Sequence, residues 1–274
     1  PLLLSPAFKD YIWGGNRLKR DWGKRTDMTP LAESWELSCH EAGPSVIAGG
    51  AYAGRTLGEY LAGHPQDAGT KAQNAGAFPL LIKLIDAAGP LSVQVHPDDA
   101  YAREFEHSLG KSEMWLVLDA SEGAGIYYGF KRETPLAEMR AAIENNTLTE
   151  LLNWVPAKTG DCFFIPSGTL HAICKGIVVA EVQQNSNVTY RVYDYGRVGA
   201  DGKPRALHVE KALDVTLRTP PVKHDFGSHL AQGEYFTVDA KNGAFEDTAD
   251  EKSFVSLLVT DGEGELTCGG ETVV

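Results

Sequence analysis

Three short segments of the chain carry side chains whose types and spacing could bind a metal ion. Gln94 and His96 lie two residues apart, Lys111 and Glu113 repeat that spacing, and His171 follows a Pro-Ser-Gly turn. The two imidazoles and the carboxylate suit Zn²⁺ or another borderline divalent ion, and the amide oxygen of Gln94 could add a fourth ligand. A single histidine is more often a hydrogen-bonded structural residue, so the hypothesis depends on all four ligands meeting in one place.

The residues around these side chains show the period-2 alternation of half-buried β-strands. Residues 91–96 would place apolar side chains on one face and polar ones on the other, namely Ser92, Gln94 and His96. A second strand is predicted over residues 111–118, and a third over residues 160–165, before the turn that leads to His171. Because polar groups are costly to bury unless they bind a ligand or one another, these strands are predicted to direct theirs toward a common site.

The segments between the strands are predicted to contain short helices and one loop. Thr56 and Asp98 are predicted to cap helices over residues 56–61 and 98–108. The small, polar residues 65–76 are predicted to form a surface loop. Further helices are predicted over residues 134–145 and 209–217.

Composition and charge limit the partners of this chain. Its 274 residues suffice for one large or two modest domains, and 43% hydrophobic and 23% charged residues are ordinary for a globular protein. A net charge of −12 argues against non-specific binding to nucleic acid or to anionic membranes. An anionic small molecule would therefore need a local cluster of Lys and Arg side chains.

The cysteines and the N-terminal residues indicate a cytoplasmic location. The four cysteines form no C-x-x-C pair and are predicted to be reduced thiols. The first residues, PLLLSPAF, lack the basic flank and the length of a signal peptide, and no apolar run approaches the ~18 residues of a membrane span. The sequence leaves the oligomeric state open.

The stretch GDCFFIPSGTLH resembles the second motif of the cupin superfamily at each anchoring position, from Gly160 through the Pro-Ser-Gly turn to His171. The asparagine that usually follows four residues later is replaced by Lys175. The first cupin motif is modified, because Gln94 replaces its first histidine and a predicted helix separates Glu113 from the second. The resemblance implies a histidine presented at the mouth of a β-barrel.

A wider set of motifs resembles the type I mannose-6-phosphate isomerases of the short bacterial class, over roughly residues 8–217. The motifs are YIWGG (11–15), LAESWELS (31–38), QVHPDD (94–99), GKSEMW (110–115), IPSGTLHAI (165–173) and NVTYRVYDYGR (187–197). The resemblance implies a zinc enzyme, with one Zn²⁺ per chain, that interconverts mannose 6-phosphate and fructose 6-phosphate. It implies zinc ligands at His96, Glu113 and His171 with Gln94 as a fourth, a catalytic Arg191, and pocket residues at Lys83, Ser92 and Lys111.

The expected fold is mainly β, a cupin-type β-sandwich or jelly-roll barrel with short helical insertions and a second, smaller cupin-like β domain. The first domain is predicted over residues 1–218. The composition changes near the Thr-Pro-Pro sequence at 219–221. Residues 219–274, with strand-like runs separated by Gly-rich turns, are predicted to form the second domain and to be incomplete.

Aldose–ketose interconversion through a cis-enediol needs a base and a group that stabilises a negatively charged oxygen. Arg191 offers a permanent cation, and Lys111 and Lys83 offer charges for a phosphate. Glu181 and Lys111 are the candidate bases, and a structural salt bridge from Glu181 to Arg191 is an equal alternative for the glutamate. A hydride shift is the competing mechanism. An Fe(II) cupin oxygenase and a non-catalytic sugar-phosphate-binding cupin are the alternative functions.

Overall fold

The computed structural model describes residues 1–198 and 202–273, and most of its regular structure is β-strand. The strands are β1 (Leu4–Ser5), β2 (Ala7–Lys9), β3 (Glu33–Ser38), β4 (Val46–Ile47), β5 (Leu80–Ala87), β6 (Val93–Val95), β7 (Glu113–Ala120), β8 (Gly125–Phe130), β9 (Leu152–Pro156), β10 (Cys162–Ile165), β11 (His171–Ile173), β12 (Ile177–Gln184), β13 (Tyr190–Tyr193), β14 (Ala231–Gln232), β15 (Thr237–Val238), β16 (Leu266–Cys268) and β17 (Glu271–Val273). The helices are α1 (Arg17–Arg20), α2 (Leu57–Gly63), α3 (Gly69–Asn74), α4 (Asp99–Phe105), α5 (Leu136–Glu144) and α6 (Val209–Val215), with 3₁₀ turns at Gly50–Tyr52, Pro65–Ala68 and Leu148–Leu151.

Two antiparallel sheets form the body of the molecule. The larger has the strand order β10-β7-β12-β5-β3-β2, and the smaller has the order β13-β6-β11-β8-β9. Apolar side chains from both sheets pack between them, among them Ile85, Val117, Ile126, Ile173 and Val179. The β-sandwich implied by the resemblance of the sequence to cupins is therefore confirmed.

The space between the sheets is apolar at one end and polar at the other. Along β7, the inward-facing positions run from Val117 through Trp115 to Glu113, and along β12 they run from Val179 to Glu181. Because residues two apart lie on the same face of a strand, the inward face of each of these strands carries apolar residues in the core and a carboxylate toward the end of the sandwich. The polar end is where a site can form.

The helices decide which face of β6 points inward. Met139 and Ile143 of α5 and Leu213 of α6 pack in one cluster with Val93 and Val95. The apolar face of this strand is therefore covered by helices on the outside of the smaller sheet. Its polar face turns to the interior, which is the reverse of an ordinary half-exposed strand.

The predicted helices are confirmed to within a few residues at each end. Thr56 caps α2 in a capping box with Glu59, and the side chain of Asp98 caps α4 by accepting from the backbone N–H of Tyr101. The helices predicted over residues 134–145 and 209–217 correspond to α5 and α6.

The loop predicted over residues 65–76 is wrong, because this segment forms a 3₁₀ turn and α3. The backbone N–H groups of Thr70 and Lys71 donate to carbonyls of Glu251 and Lys252. A Cβ at Gly69 would lie 2.5 Å from the backbone of Lys252, so the close approach needs a glycine. The small residues serve this long-range contact, which local composition does not reveal.

Residues 219–273 contain two short hairpins among their described residues, β14 with β15 and β16 with β17. Ala231 and Phe236 are buried in a cluster with Ile82 and Met114, which lie on the outer face of the larger sheet. This part of the segment is therefore packed onto the sandwich. The division after residue 218 and the smaller cupin-like domain beyond it remain predictions.

A buried ion pair fastens α1 to the larger sheet, and its loss should destabilise the fold. Asp86 is fully buried and accepts from the backbone N–H (2.8 Å) and the Nε (2.9 Å) of Arg17. Asp86→Ala is expected to lower the free energy of unfolding in urea by about 3–5 kcal/mol, because it leaves the backbone N–H and the Nε–H of a largely buried arginine without their buried carboxylate partner.

Asp119 provides the matched control, because it pairs with the same guanidinium at 2.8 Å but its side chain is 49% exposed. Asp119→Ala should change the free energy of unfolding by about 1 kcal/mol or less. Equal losses in the two variants would contradict the role given to burial.

Candidate metal centre and active site

Three buried side chains meet at the polar end of the sandwich. His96 directly follows β6, Glu113 begins β7 and His171 begins β11. The Nε2 atom of His96 lies 3.6 Å from Oε2 of Glu113, and the Nε2 atom of His171 lies 3.4 Å from Oε1. Their candidate ligand atoms all lie within 4.8 Å of one another, which is a spacing that one metal ion can bridge.

Both imidazoles are held in the orientation that a metal ligand needs. The Nδ1–H group of His96 donates to the carbonyl of Val188, and that of His171 donates to the carbonyl of Thr169, each at 2.8 Å. These bonds leave the Nε2 lone pairs facing Glu113. Burial lowers the pKa of His171 to about 4, and burial and the nearby Lys111 hold the pKa of His96 well below its usual value. Both rings are therefore neutral at pH 7.

Glu113 is a buried carboxylate whose partners are incomplete. Neither oxygen accepts a hydrogen bond of good geometry from the described residues, although Nζ of Lys111 lies 2.9 Å from Oε2. Burial raises the pKa of Glu113 to about 7. A buried carboxylate between two neutral imidazoles is unfavourable by itself and suits a divalent cation. The residues present fit a zinc ion.

Gln94 lies beside this cluster, opposite His171 and Arg191 in the sheet register. Its Nε2 is 3.4 Å from Nε2 of His171, and its Oε1 accepts from Oγ of Ser92 at 3.3 Å. Exchanging the two ends of the amide by rotation would turn its oxygen toward the cluster. The predicted fourth ligand is therefore within reach.

Two of the predicted cations, Lys111 and Arg191, lie around the same cluster. Nζ of Lys111 is 3.2 Å from Nε2 of His96. The guanidinium of Arg191 donates to Oγ of Ser92 (3.2 Å) and to the carbonyl of Ala206 (3.0 Å). Arg191, Ser92, Gln94 and His171 thus form a continuous polar row across the inner face of the smaller sheet.

Glu181 is paired with Lys83, and the alternative of a salt bridge to Arg191 is wrong. Oε1 of Glu181 lies 3.2 Å from Nζ of Lys83, which lies 3.5 Å from Glu33. Glu181 and Lys83 are direct neighbours in the register of β12 and β5, whereas Arg191 lies in the opposite sheet. Burial alone would raise the pKa of Glu181, but Lys83 and Lys111 lower it to about 2. The carboxylate is ionised.

Two tryptophans that hold Glu181 and Glu33 were not anticipated from the sequence. Trp115 donates its indole N–H to Glu181 at 2.8 Å and lies edge-on to the ring of His171, at 5.4 Å between centroids. Trp35 donates to Glu33 at 2.6 Å. The signal that could have identified them is the i, i+2 spacing of Trp115 from Glu113 and of Trp35 from Glu33, which puts each pair on one face of a strand.

Two antiparallel sheets that enclose a buried His-Glu-His cluster at one end, with the last histidine presented after a Pro-Ser-Gly turn, define a cupin with a candidate metal centre. Within the described residues, no helix has the length and apolar character needed to cross a membrane.

Comparison with known proteins narrows this class to a family. A family model described as the catalytic domain of type I phosphomannose isomerase matches residues 2–123. A mannose-6-phosphate isomerase of Streptococcus mutans is 46% identical over 215 residues, which are 78% of this chain and 67% of that protein. Mannose-6-phosphate isomerase ManA of Bacillus subtilis is 39% identical over 282 residues, covering 98% of this chain and 88% of the relative.

The fold agrees with the sequence matches. A crystal structure of the mannose 6-phosphate isomerase from Bacillus subtilis matches with a TM-score of 0.79 and 40% identity, over 86% of this chain and 78% of that one. The chain belongs to the type I phosphomannose isomerase family. The family resemblance and the cupin fold predicted from the sequence are confirmed.

Proposed function

We propose that this protein is a zinc-dependent mannose-6-phosphate isomerase with one zinc ion per chain. The observation that carries the proposal is the buried cluster of His96, Glu113 and His171, with Lys111 and Arg191 around it, in a member of this family. Relatives in Streptococcus mutans and Bacillus subtilis bear the name of this activity. The substrates proposed are mannose 6-phosphate and fructose 6-phosphate.

The metal would be held by His96, Glu113 and His171, with Gln94 as a fourth ligand. When bound, a divalent ion supplies a Lewis acid that polarises substrate oxygens. The carbonyls of Val188 and Thr169 support this role, because their hydrogen bonds fix the orientation of both imidazoles.

The sugar phosphate would be bound by Lys111, Arg191 and Ser92. Arg191 provides a planar, permanent cation, and Lys111 provides a point charge on the other side of the cluster. Lys83 is enclosed by Glu33 and Glu181, so we assign it an indirect role, in which it keeps Glu181 ionised. Lys111 and Arg191 would together supply the local positive charge that an acidic protein needs to bind an anion.

We assign the proton transfer between C2 and C1 to Glu181, with Lys111 as the alternative base. The carboxylate of Glu181 is ionised, as a general base must be, and its Oε1 faces Nζ of Lys83 at 3.2 Å. Trp115 holds the other oxygen and orients the group. Arg191 would stabilise the negative oxygen of the cis-enediol that forms after deprotonation.

The test is to measure metal content and fructose 6-phosphate formation from mannose 6-phosphate on one sample, with and without a chelator. We expect about one zinc per chain and turnover that is lost on chelation, because the ligands are preformed and the ion takes part in the reaction. Turnover in deuterated water should introduce solvent deuterium into the product.

Each contrary result has a distinct meaning. Zinc without turnover would indicate a non-catalytic sugar-phosphate-binding cupin, and iron with oxygen consumption would indicate a cupin oxygenase. Turnover with no deuterium incorporation at all would contradict the proton transfer and favour a hydride shift.

A further inference from the structure

Asp99, in the first turn of α4, joins three separate parts of the chain. Its Oδ1 accepts from the backbone N–H of Gly110 at 2.7 Å and from Nε2 of Gln184 at 2.9 Å. Its Oδ2 accepts from the hydroxyl of Tyr235, which comes from the C-terminal segment. An aspartate can accept all of these bonds because both oxygens are acceptors when it is ionised.

The bonds made by Asp99 hold both sides of Lys111. Gly110 precedes the lysine, and Ser112 follows it and donates its backbone N–H to Oε1 of Gln184 at 2.8 Å. A Cβ at Gly110 would lie 2.5 Å from the backbone of residues 98 and 99, so this loop is pressed against the start of α4. The position of Lys111, and of Glu113 two residues later, therefore depends on Asp99 and Gln184.

The same network reaches the turn before the second histidine ligand. Oγ of Ser112 accepts from the backbone N–H of Ser167 at 3.1 Å, four residues before His171. Hydrogen bonds that form a chain of this kind strengthen one another. One continuous set of bonds thus runs from Asp99 to both sides of the metal centre.

Tyr235 is the member of this network that comes from the C-terminal segment. Its neighbour Phe236 and the nearby Ala231 are buried against the outer face of the larger sheet, so the tyrosine is presented from an anchored segment. Its hydroxyl reaches across to Asp99, far from it in sequence. The C-terminal segment is thereby connected to the loop that carries Lys111.

We propose that Tyr235 is a positioning residue, which acts through Asp99 to hold the 110–113 segment in the geometry that substrate binding and metal binding require. The proposal rests on the proposed function: the effect on substrate binding depends on the role assigned to Lys111, and the effect on metal binding depends on the ligands assigned to the zinc ion. The C-terminal segment then contributes to the site without touching the substrate.

The test compares Tyr235→Phe with Tyr101→Phe. Tyr101 lies on the same helix as Asp99 and donates its hydroxyl to Asp214 at 3.0 Å, so the control removes the same kind of bond outside the network. In the zinc-loaded protein, Tyr235→Phe should lower kcat/KM for mannose 6-phosphate by about 10–100-fold and speed zinc loss to a chelator, as outer partners of metal ligands do. Tyr101→Phe should leave both unchanged.

A second variant and a stability measurement separate positioning from general weakening. Asp99→Asn should affect zinc retention more than Tyr235→Phe, because an amide has one acceptor oxygen and its NH₂ group would face other donors. Thermal unfolding of the metal-free Tyr235→Phe and Tyr101→Phe proteins should differ little.

Several results would overturn the proposal. Equal zinc retention in Tyr235→Phe and Tyr101→Phe would do so. Zinc loss that parallels a fall in melting temperature in both variants would also do so, because it would indicate general weakening of the fold. Absence of isomerase turnover in the unmodified protein would count against the proposed function alone, and the zinc comparison would still decide the role of Tyr235.

Discussion

Glu113→Gln is expected to remove zinc from the protein and to lower turnover by at least about 100-fold, since even residues that only support metal ligands cost about 10–100-fold when lost. Glutamine has nearly the same size, so the change tests the charge of the ligand. Glu113 is the one carboxylate in the His96–Glu113–His171 cluster, and the two neutral imidazoles would be left to hold a divalent ion without it. Metal analysis after dialysis measures the loss directly.

Thermal unfolding gives a second measurement of zinc binding in the same variant. Zinc that binds only the folded state raises the melting temperature by mass action, and this rise should disappear in Glu113→Gln. Glu33→Gln is the matched control, because Glu33 is also buried and lies near Lys83 but is outside the metal cluster. If Glu113→Gln retained one zinc per chain, or if Glu33→Gln lost it equally, the ligand assignment would be wrong.

Arg191→Ala is expected to lower kcat by about 10²–10³-fold, the usual cost of removing one group that stabilises a developing negative charge. The guanidinium is held by Ser92 and by the carbonyl of Ala206, so it is already oriented toward the site. Zinc content should not change, because Arg191 contacts none of the three predicted protein ligands His96, Glu113 and His171 through a hydrogen bond or ion pair in the described structure. Steady-state kinetics on zinc-loaded protein makes the measurement.

Two further variants define what Arg191 does. Arg191→Lys should recover only part of kcat, because a lysine ammonium cannot reproduce the planar fork of the guanidinium. Arg140→Ala is the surface control, since Arg140 pairs with the exposed Glu210 on the outside of the smaller sheet, and it should have no effect on kcat. A loss of affinity with unchanged kcat in Arg191→Ala would indicate that Arg191 binds the substrate without stabilising the transition state.

The ligand cluster could be predicted from the sequence because its geometry is largely local. An i, i+2 spacing in a strand puts two side chains on one face whatever the rest of the chain does, and this holds for Gln94 with His96 and for Lys111 with Glu113. The turn before His171 is equally local. The cupin motifs and the helix caps at Thr56 and Asp98 belong to the same category, since adjacent residues specify them.

Other features follow only from how distant segments meet. The alternation in residues 91–96 is the same whether the polar face of the strand points outward or inward. The polar face points inward because α5 and α6 pack on Val93 and Val95 of the apolar face. The partner of Glu181 depends on strand order, which sets β12 beside β5 and therefore Glu181 opposite Lys83.

The sequence by itself thus determined the fold class, the family and the side chains that can bind a metal, because these depend on local spacing and on motifs. The tertiary structure decided which charges neutralise one another, that residues 69–74 form a helix, and that Tyr235 reaches Asp99. The physical reason is that such contacts join residues far apart in the chain. Their energies depend on strand order, register and burial, which no short stretch of sequence contains.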